Sequence, residues 1–180
     1  AIHIVRDPRN IINSILYHYS KKSFLEAKEF MLDETRALGK KFDPNSPSVN
    51  QDMFTVLTSW KTHYLSWKNF KKNYLLIKYE NLIKNPEDEF TKVANFLGKL
   101  FKHNFTKEVI DDAIKLSSFD KLEKMEQEHG FIESTANQDG TKQKFFYLGP
   151  KNNWRKLLNK ELIEEINIEF ENEMKELGYL

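Results

Sequence analysis

Twice in this chain a short apolar run leads through a proline-marked turn into a helix. The first unit is Ala1-Ile-His-Ile-Val5, followed by Arg6-Asp7-Pro8. An unbroken run of this length, rich in β-branched residues, predicts a strand. Asp7 is a good N-cap, and Pro8 suits the first helical position, where its missing N–H leaves nothing unsatisfied. Ile11, Ile12, Ile15 and Leu16 then recur at helical spacing. The second unit runs from Tyr74 to Lys78, continues as "YENL", and enters a helix with Asn85 as cap and Pro86 in its first turn. Gly98 is the expected end of that helix. Strands that feed helices in this way predict βα units of a parallel sheet, so the expected fold class is α/β.

The remaining segments read mostly as helix. Helices are predicted over Phe24 to Leu38, Lys107 to Leu116, Ser118 to Glu128 and Lys160 to Leu177. A further long helix is predicted over residues 49–70, where Phe54, Leu57, Trp60, Tyr64 and Trp67 follow at three- and four-residue steps. Residues 39–48, "GKKFDPNSPS", read as a loop. Residues 129–153 form a long polar, glycine-punctuated stretch, and loops of that length are uncommon unless functional or disordered. With about two strands present, most of the sheet is expected upstream. The chain opens on Ala1 and enters a strand at once. Residues 1–180 are therefore expected to be the C-terminal portion of a single longer domain.

Composition narrows the function classes. A formal net charge of +1 gives no basic field for nucleic acid. No apolar run approaches the ~20 residues of a membrane span, and no signal-peptide pattern begins the chain. Cysteine is absent, which removes disulfides, thiolate nucleophiles and cysteine metal sites; a reducing, cytoplasmic setting is the expectation.

Parallel sheets bind ligands beyond the carboxyl ends of their strands, where helix N-termini gather. Arg6 stands at such an end, and Ser14 follows it by eight residues. Spacing alone leaves two readings open. The guanidinium can fork onto a phosphate with the serine hydroxyl beside it, or Arg6 can pair with Asp7 while Ser14 is merely solvated. Tyr79, at the matching position after the second strand, is either a base-contacting ring or a half-buried packing residue. Ser118 and Phe119 are a base-side pair, or simply a cap and a core residue. "FFYLGPKNNW" is a loop that closes on a ligand, or one held by aromatic packing. His18 and His63 lack metal-ligand spacing and read as polar or packing residues. Trp60 and Trp67, on a helical stripe, read as core.

Taken in order, these pieces resemble the family of sulfotransferases that use 3′-phosphoadenosine-5′-phosphosulfate (PAPS). The likeness rests on Arg6-Asp7-Pro8 with Ser14, on "SWKTHYLSWKNFKKNYLLIKYENLIKNPEDEFTKVANFLG", on "SSFDKLEKM", and on "FFYLGPKNNWRKLL" before a terminal helix. It implies a P-loop-like parallel sheet flanked by helices, helix-rich in this portion. It implies that Arg6 and Ser14 hold the 3′-phosphate and that Tyr79 contacts adenine, with Ser117, Ser118, Phe119 and Leu122 around that base. Tyr147, Leu148 and Gly149 would form the closing loop, with Trp154 at its base. The co-substrate would be PAPS, without a metal, and the acceptor a hydroxyl or amine of a small molecule or carbohydrate.

Two departures stand out. Tyr147-Leu148 replaces the family's Arg-Lys before the loop glycine, which leaves Lys144, Lys151 and Arg155 as candidate substitutes. The family's phosphosulfate loop with its catalytic lysine, and its histidine base, would both lie upstream. This portion would then carry no catalytic residue and be inactive alone. Two other readings remain open from the residues: a P-loop nucleotide kinase-like phosphotransferase, and a non-catalytic nucleotide-binding or interaction module.

Overall fold

The computed structural model describes residues 1–38, 55–70, 72–134 and 140–180. The expected loop at 39–48 and the start of the predicted 49–70 helix, including Phe54, lie outside the described residues.

Both predicted strands form and pair with each other. β1 (Ile2–Val5) lies parallel to β4 (Leu75–Lys78), in a register that sets Ile2 against Leu75 and Val5 against Lys78. His3 and Val5 point inward, whereas Ile2 and Ile4 stay exposed, so helices cover one face of the pair. α1 (Pro8–His18) starts where expected, with the Asp7 carboxylate accepting the Arg9 N–H, and it buries Ile12 and Ile15. These residues join Val5, Ala27, Met31, Trp60, Tyr64, Ile166, Phe170 and Met174 in one core.

Three predicted helices are shorter or broken. α2 covers Phe24–Leu32 and does not reach Leu38. The Asp33 carboxylate accepts both the N–H (2.8 Å) and the hydroxyl (2.7 Å) of Thr35, a local turn that competes with helix continuation. The chain then enters β2 (Ala37–Leu38), which pairs antiparallel with β3 (Thr55–Val56), a short ribbon beyond the two expected strands. Within residues 55–70, only α3 (Trp60–Lys68) is helical. Its start is fixed by Ser59, which caps the Thr62 N–H, and by Thr58, whose φ of 57° is left-handed and ends any helix arriving from upstream. Trp60 and Tyr64 are core, as their stripe predicts, but Trp67 at its far end is exposed.

The terminal helix is two helices, α9 (Lys160–Glu169) and α10 (Glu171–Leu177), broken at Phe170. That ring is fully buried, edge-on to Trp60 at 4.9 Å, so core packing overrides a continuous helical pattern.

Between β4 and the C-terminal helices, "YENLIK" is itself helical, α4 (Tyr79–Lys84). α5 (Pro86–Phe101) runs through Gly98 and stops only at left-handed Lys102. Gly98 is a point of close approach, not a stop: a Cβ there would lie 2.5 Å from the His103 carbonyl oxygen. Asn85 caps α5 through its backbone carbonyl, which accepts the Glu89 N–H, and not through its side chain. α6 (Lys107–Leu116), α7 (Phe119–His129) and the short α8 (Trp154–Leu157) complete the helices. Among the described residues no helix is long and apolar enough to cross a membrane.

At the sheet's opposite end from the carboxyl termini, the His3 imidazole is buried, with Nδ1 2.8 Å from the Tyr74 hydroxyl and its ring 5.6 Å from that of His63. His63 Nε2 accepts the Trp67 indole N–H. Burial, with His63 adding to it, lowers the His3 pKa from 6.5 to about 4. The unfolded chain therefore binds the proton more readily, so His3 supports stability fully above pH 6.5 and loses that support as pH falls toward 4. Urea unfolding of a His3→Gln variant should show a shallower loss of stability between those limits than the parent. Parallel slopes would show that His3 titrates freely in the folded state.

Candidate functional site

The register of the two strands creates the site. Because Val5 faces Lys78, the next residues, Arg6 and Tyr79, emerge side by side, and the Arg6 guanidinium lies 4.1 Å from the centre of the Tyr79 ring. An Arg–Asp pair does form at the start of α1, but with Arg9. Arg9 Nε and Nη2 fork onto the Asp7 carboxylate at 2.9 and 2.7 Å, both side chains being buried. Asp7 in turn donates its backbone N–H to Glu80 (3.0 Å), whose other oxygen accepts the Tyr179 hydroxyl (3.0 Å). Burial beside Glu80 and Asp7 raises the Tyr179 pKa well above that of an ordinary phenol, so the hydroxyl remains a donor.

Arg6 is left without a carboxylate partner among the described residues. Its Nη2 donates to the Gly149 carbonyl at 3.1 Å, and its Nε is buried with no partner. Burial lowers its pKa, against the opposing pull of Tyr79, Glu80 and Asp7, but a guanidinium starts high enough to remain charged.

A cavity of about 640 Å³ opens at this point. Arg6, Tyr79, Ser117, Ser118, Phe119, Leu122, Tyr147, Leu148 and Gly149, drawn from four separate stretches of sequence, all line it. Ser14 does not. Its hydroxyl accepts the Asn152 side-chain amide at 3.2 Å, and that amide also donates to the Asn10 carbonyl. Asn152 donates its backbone N–H to the Gly149 carbonyl as well, so Arg6 and Ser14 grip the same single-turn 3₁₀ helix, Gly149–Lys151, from two sides. Ser117 and Ser118 spend their hydroxyls on carbonyls at the end of α6.

The closing loop is aromatic. Tyr147 stacks on Tyr17 with centres 3.8 Å apart and planes 7° from parallel. Gly149 has φ of 48°, and a Cβ there would lie 2.2 Å from two ring carbons of Phe119. Trp154 closes the base between the guanidiniums of Arg9 and Arg155, at 4.1 and 4.2 Å. Lys144 pairs with Glu123 at 3.3 Å, and neither it, Lys151 nor Arg155 lines the cavity. Among the described residues Arg6 is the cavity's lysine or arginine. His18, which reads from sequence as a polar or packing residue, also lines the cavity, as do the apolar Leu82, Phe90 and Ile114, which no motif marks. His18 follows Ser14 by one helical turn, a spacing that could have flagged it. No His, Asp or Glu cluster among the described residues is arranged to hold a metal ion.

This fold and this order of motifs define a class. The family model described as the sulfotransferase domain matches residues 1–178, and the chain belongs to that family. "Cytosolic sulfotransferase 13" of Arabidopsis thaliana is 31% identical over 173 residues, 93% of this chain and 49% of the relative. "3-beta-hydroxysteroid sulfotransferase" of Cavia porcellus is 31% identical over 121 residues, 66% of this chain and 37% of the relative. The chain thus spans half or less of the length of these curated relatives. A mouse sulfotransferase solved in complex with PAP shares the fold, with a TM-score of 0.63 at 19% identity over 96% of this chain and 57% of that one.

Gly149→Ala should force either Phe119 or the loop out of place, since strain at positive φ and overpacking act together. The expected destabilisation is about 1–3 kcal/mol, read as a fall in thermal midpoint. Adding Phe119→Ala should relieve part of the Gly149→Ala defect; purely additive losses would show that ring and loop do not press on each other.

Proposed function

We propose that the protein carrying this chain transfers a sulfuryl group from PAPS to a hydroxyl or amine of a small-molecule or carbohydrate acceptor. In this reading the chain supplies the adenine and 3′-phosphate end of the donor site. The observation that carries it is Arg6: a half-buried guanidinium freed from Asp7 by Arg9, with a buried, unpartnered Nε, at a cavity lined mainly by rings and aliphatic side chains, with Ser117, Ser118 and Asp120 among them. A charge so placed suits an anion carried on a flat apolar group, which describes a phosphorylated nucleoside. Tyr79 and Phe119 offer the base its rings. The PAP complex of the mouse relative is in keeping with such a ligand.

The chemistry follows from family membership. An upstream base would take the acceptor's proton as the sulfuryl group passes in line, and upstream donors would stabilise charge on the departing phosphate. Arg6, Tyr79 and the 145–149 loop would contribute binding and orientation, which hold the donor against the acceptor. Ser14 would act on the 3′-phosphate through Asn152 and the Gly149 turn, because its hydroxyl is engaged there.

Arg6→Ala should weaken adenosine 3′,5′-bisphosphate by about 1.5–3 kcal/mol, the usual value of a charged hydrogen-bond partner. Adenosine 5′-monophosphate should lose far less. Calorimetric titration of both ligands tests this. Equal losses for the two would remove Arg6 from the 3′-phosphate, and a preference for ATP over the bisphosphate would favour the kinase-like reading.

A further inference from the structure

The loop that walls the cavity has few backbone bonds of its own, yet it presents Phe145, Phe146 and Tyr147 to the cavity in succession. Two successive amides converge on one group only where the backbone bends, and here that group is Glu126 on α7. Its Oε1 accepts the Phe145 N–H at 2.6 Å and the Ser134 hydroxyl at 2.8 Å, and its Oε2 accepts the Phe146 N–H at 2.9 Å. Phe131 packs against both loop rings, at 4.7 and 5.4 Å, and Phe146 meets Phe119 edge-on. One carboxylate therefore ties α7, residue 134 and the loop into a single bracket.

We propose that Glu126 is the positioning residue of the ligand site, fixing the bend that aims the 145–147 rings at the donor's nucleoside. This inference rests on the nucleotide reading of the cavity. Two features support it. Burial opposes the charge on Glu126, but the two amides, the Ser134 hydroxyl and nearby Lys144 outweigh burial and hold its pKa below the usual carboxylate value. And no lysine or arginine of the loop lines the described cavity wall, so loop charge is not placed to draw the loop onto a phosphate. An internal anion that shapes the loop before ligand arrives does the ordering in its place, which is preorganisation in the ordinary sense. Glu126 touches neither the nucleoside nor the reacting atoms; it acts through Phe145 and Phe146.

The test uses Glu126→Gln and Glu126→Asp in the protein that carries this chain, with Glu128→Gln as control, since the Glu128 carboxylate pairs with Lys124 on its own helix and not with the loop. Glutamine keeps the size but presents an N–H₂ to one of the two amides. Glu126→Gln should weaken adenosine 3′,5′-bisphosphate about tenfold or more. It should speed amide exchange at residues 145–147 without ligand, and leave the unfolding midpoint near the parent's. Glu126→Asp, which keeps the charge, should recover part of both effects, and Glu128→Gln should match the parent. Unchanged exchange at 145–147, or faster exchange spread evenly along the chain, would overturn the proposal. If the parent itself fails to bind the bisphosphate, the nucleotide reading falls and the aim assigned to the bend falls with it, while ligand-free exchange in Glu126→Gln still decides whether Glu126 holds the loop.

Discussion

The site depends on which arginine takes Asp7. Two arginines flank it, and the buried fork goes to Arg9, which also reaches Asn167 in α9 and the Tyr179 carbonyl just beyond α10. That choice has two consequences. It welds the start of α1 to the end of the chain, through a pair whose one-sided loss typically costs about 3–5 kcal/mol. It also leaves Arg6 charged, half-buried and only partly satisfied, with its Nε buried. A buried donor without a partner is unfavourable unless something supplies one, and a cavity beside it is where that partner can come from. Glu80 completes the arrangement by accepting the Asp7 amide and the Tyr179 hydroxyl, which locks the ends of β1 and β4 in the register that sets Arg6 over Tyr79.

Around this fixed point the loop is held by the Glu126 carboxylate and by contacts that are not ionic. The Tyr17–Tyr147 stack, the Phe119–Gly149 contact and the Asn152 amide each secure one stretch of it against a different element. Tyr147 thus gives the loop an aromatic contact that is present without any ligand. Shape and apolar area then supply more of the grip, and Arg6 alone among the lysines and arginines of the described wall supplies charge.

What the sequence made legible was local. The two βα units announce themselves through short apolar runs, a capping Asp and helix-starting prolines, all within a few residues. The resemblance that those units carry, together with "SSF" and "YLG" behind them, named part of the cavity wall, from Arg6 and Tyr79 to Gly149. Helix ends were harder, because they turn on single residues: the Asp33–Thr35 turn, left-handed Thr58, and Phe170, whose burial outbids its helical pattern. Glu126 and Asn152 were invisible because their partners are remote. Glu126 binds an amide 19 residues away, and Asn152 a carbonyl 142 residues away, so no periodicity or spacing marks either. Ser14 was legible as a residue of α1 eight positions after Arg6, but not as one whose hydroxyl is already engaged by Asn152.

The central claim is that a phosphate completes the coordination of Arg6. A crystal structure of the protein that carries this chain, bound to adenosine 3′,5′-bisphosphate, tests it most directly. The account predicts a 3′-phosphate oxygen within hydrogen-bonding distance of the Arg6 guanidinium, with the adenine lying against Tyr79 and Phe119. A nucleotide bound outside this cavity, or one whose 3′-phosphate is held by other cations while Arg6 Nε stays unpartnered, would contradict it.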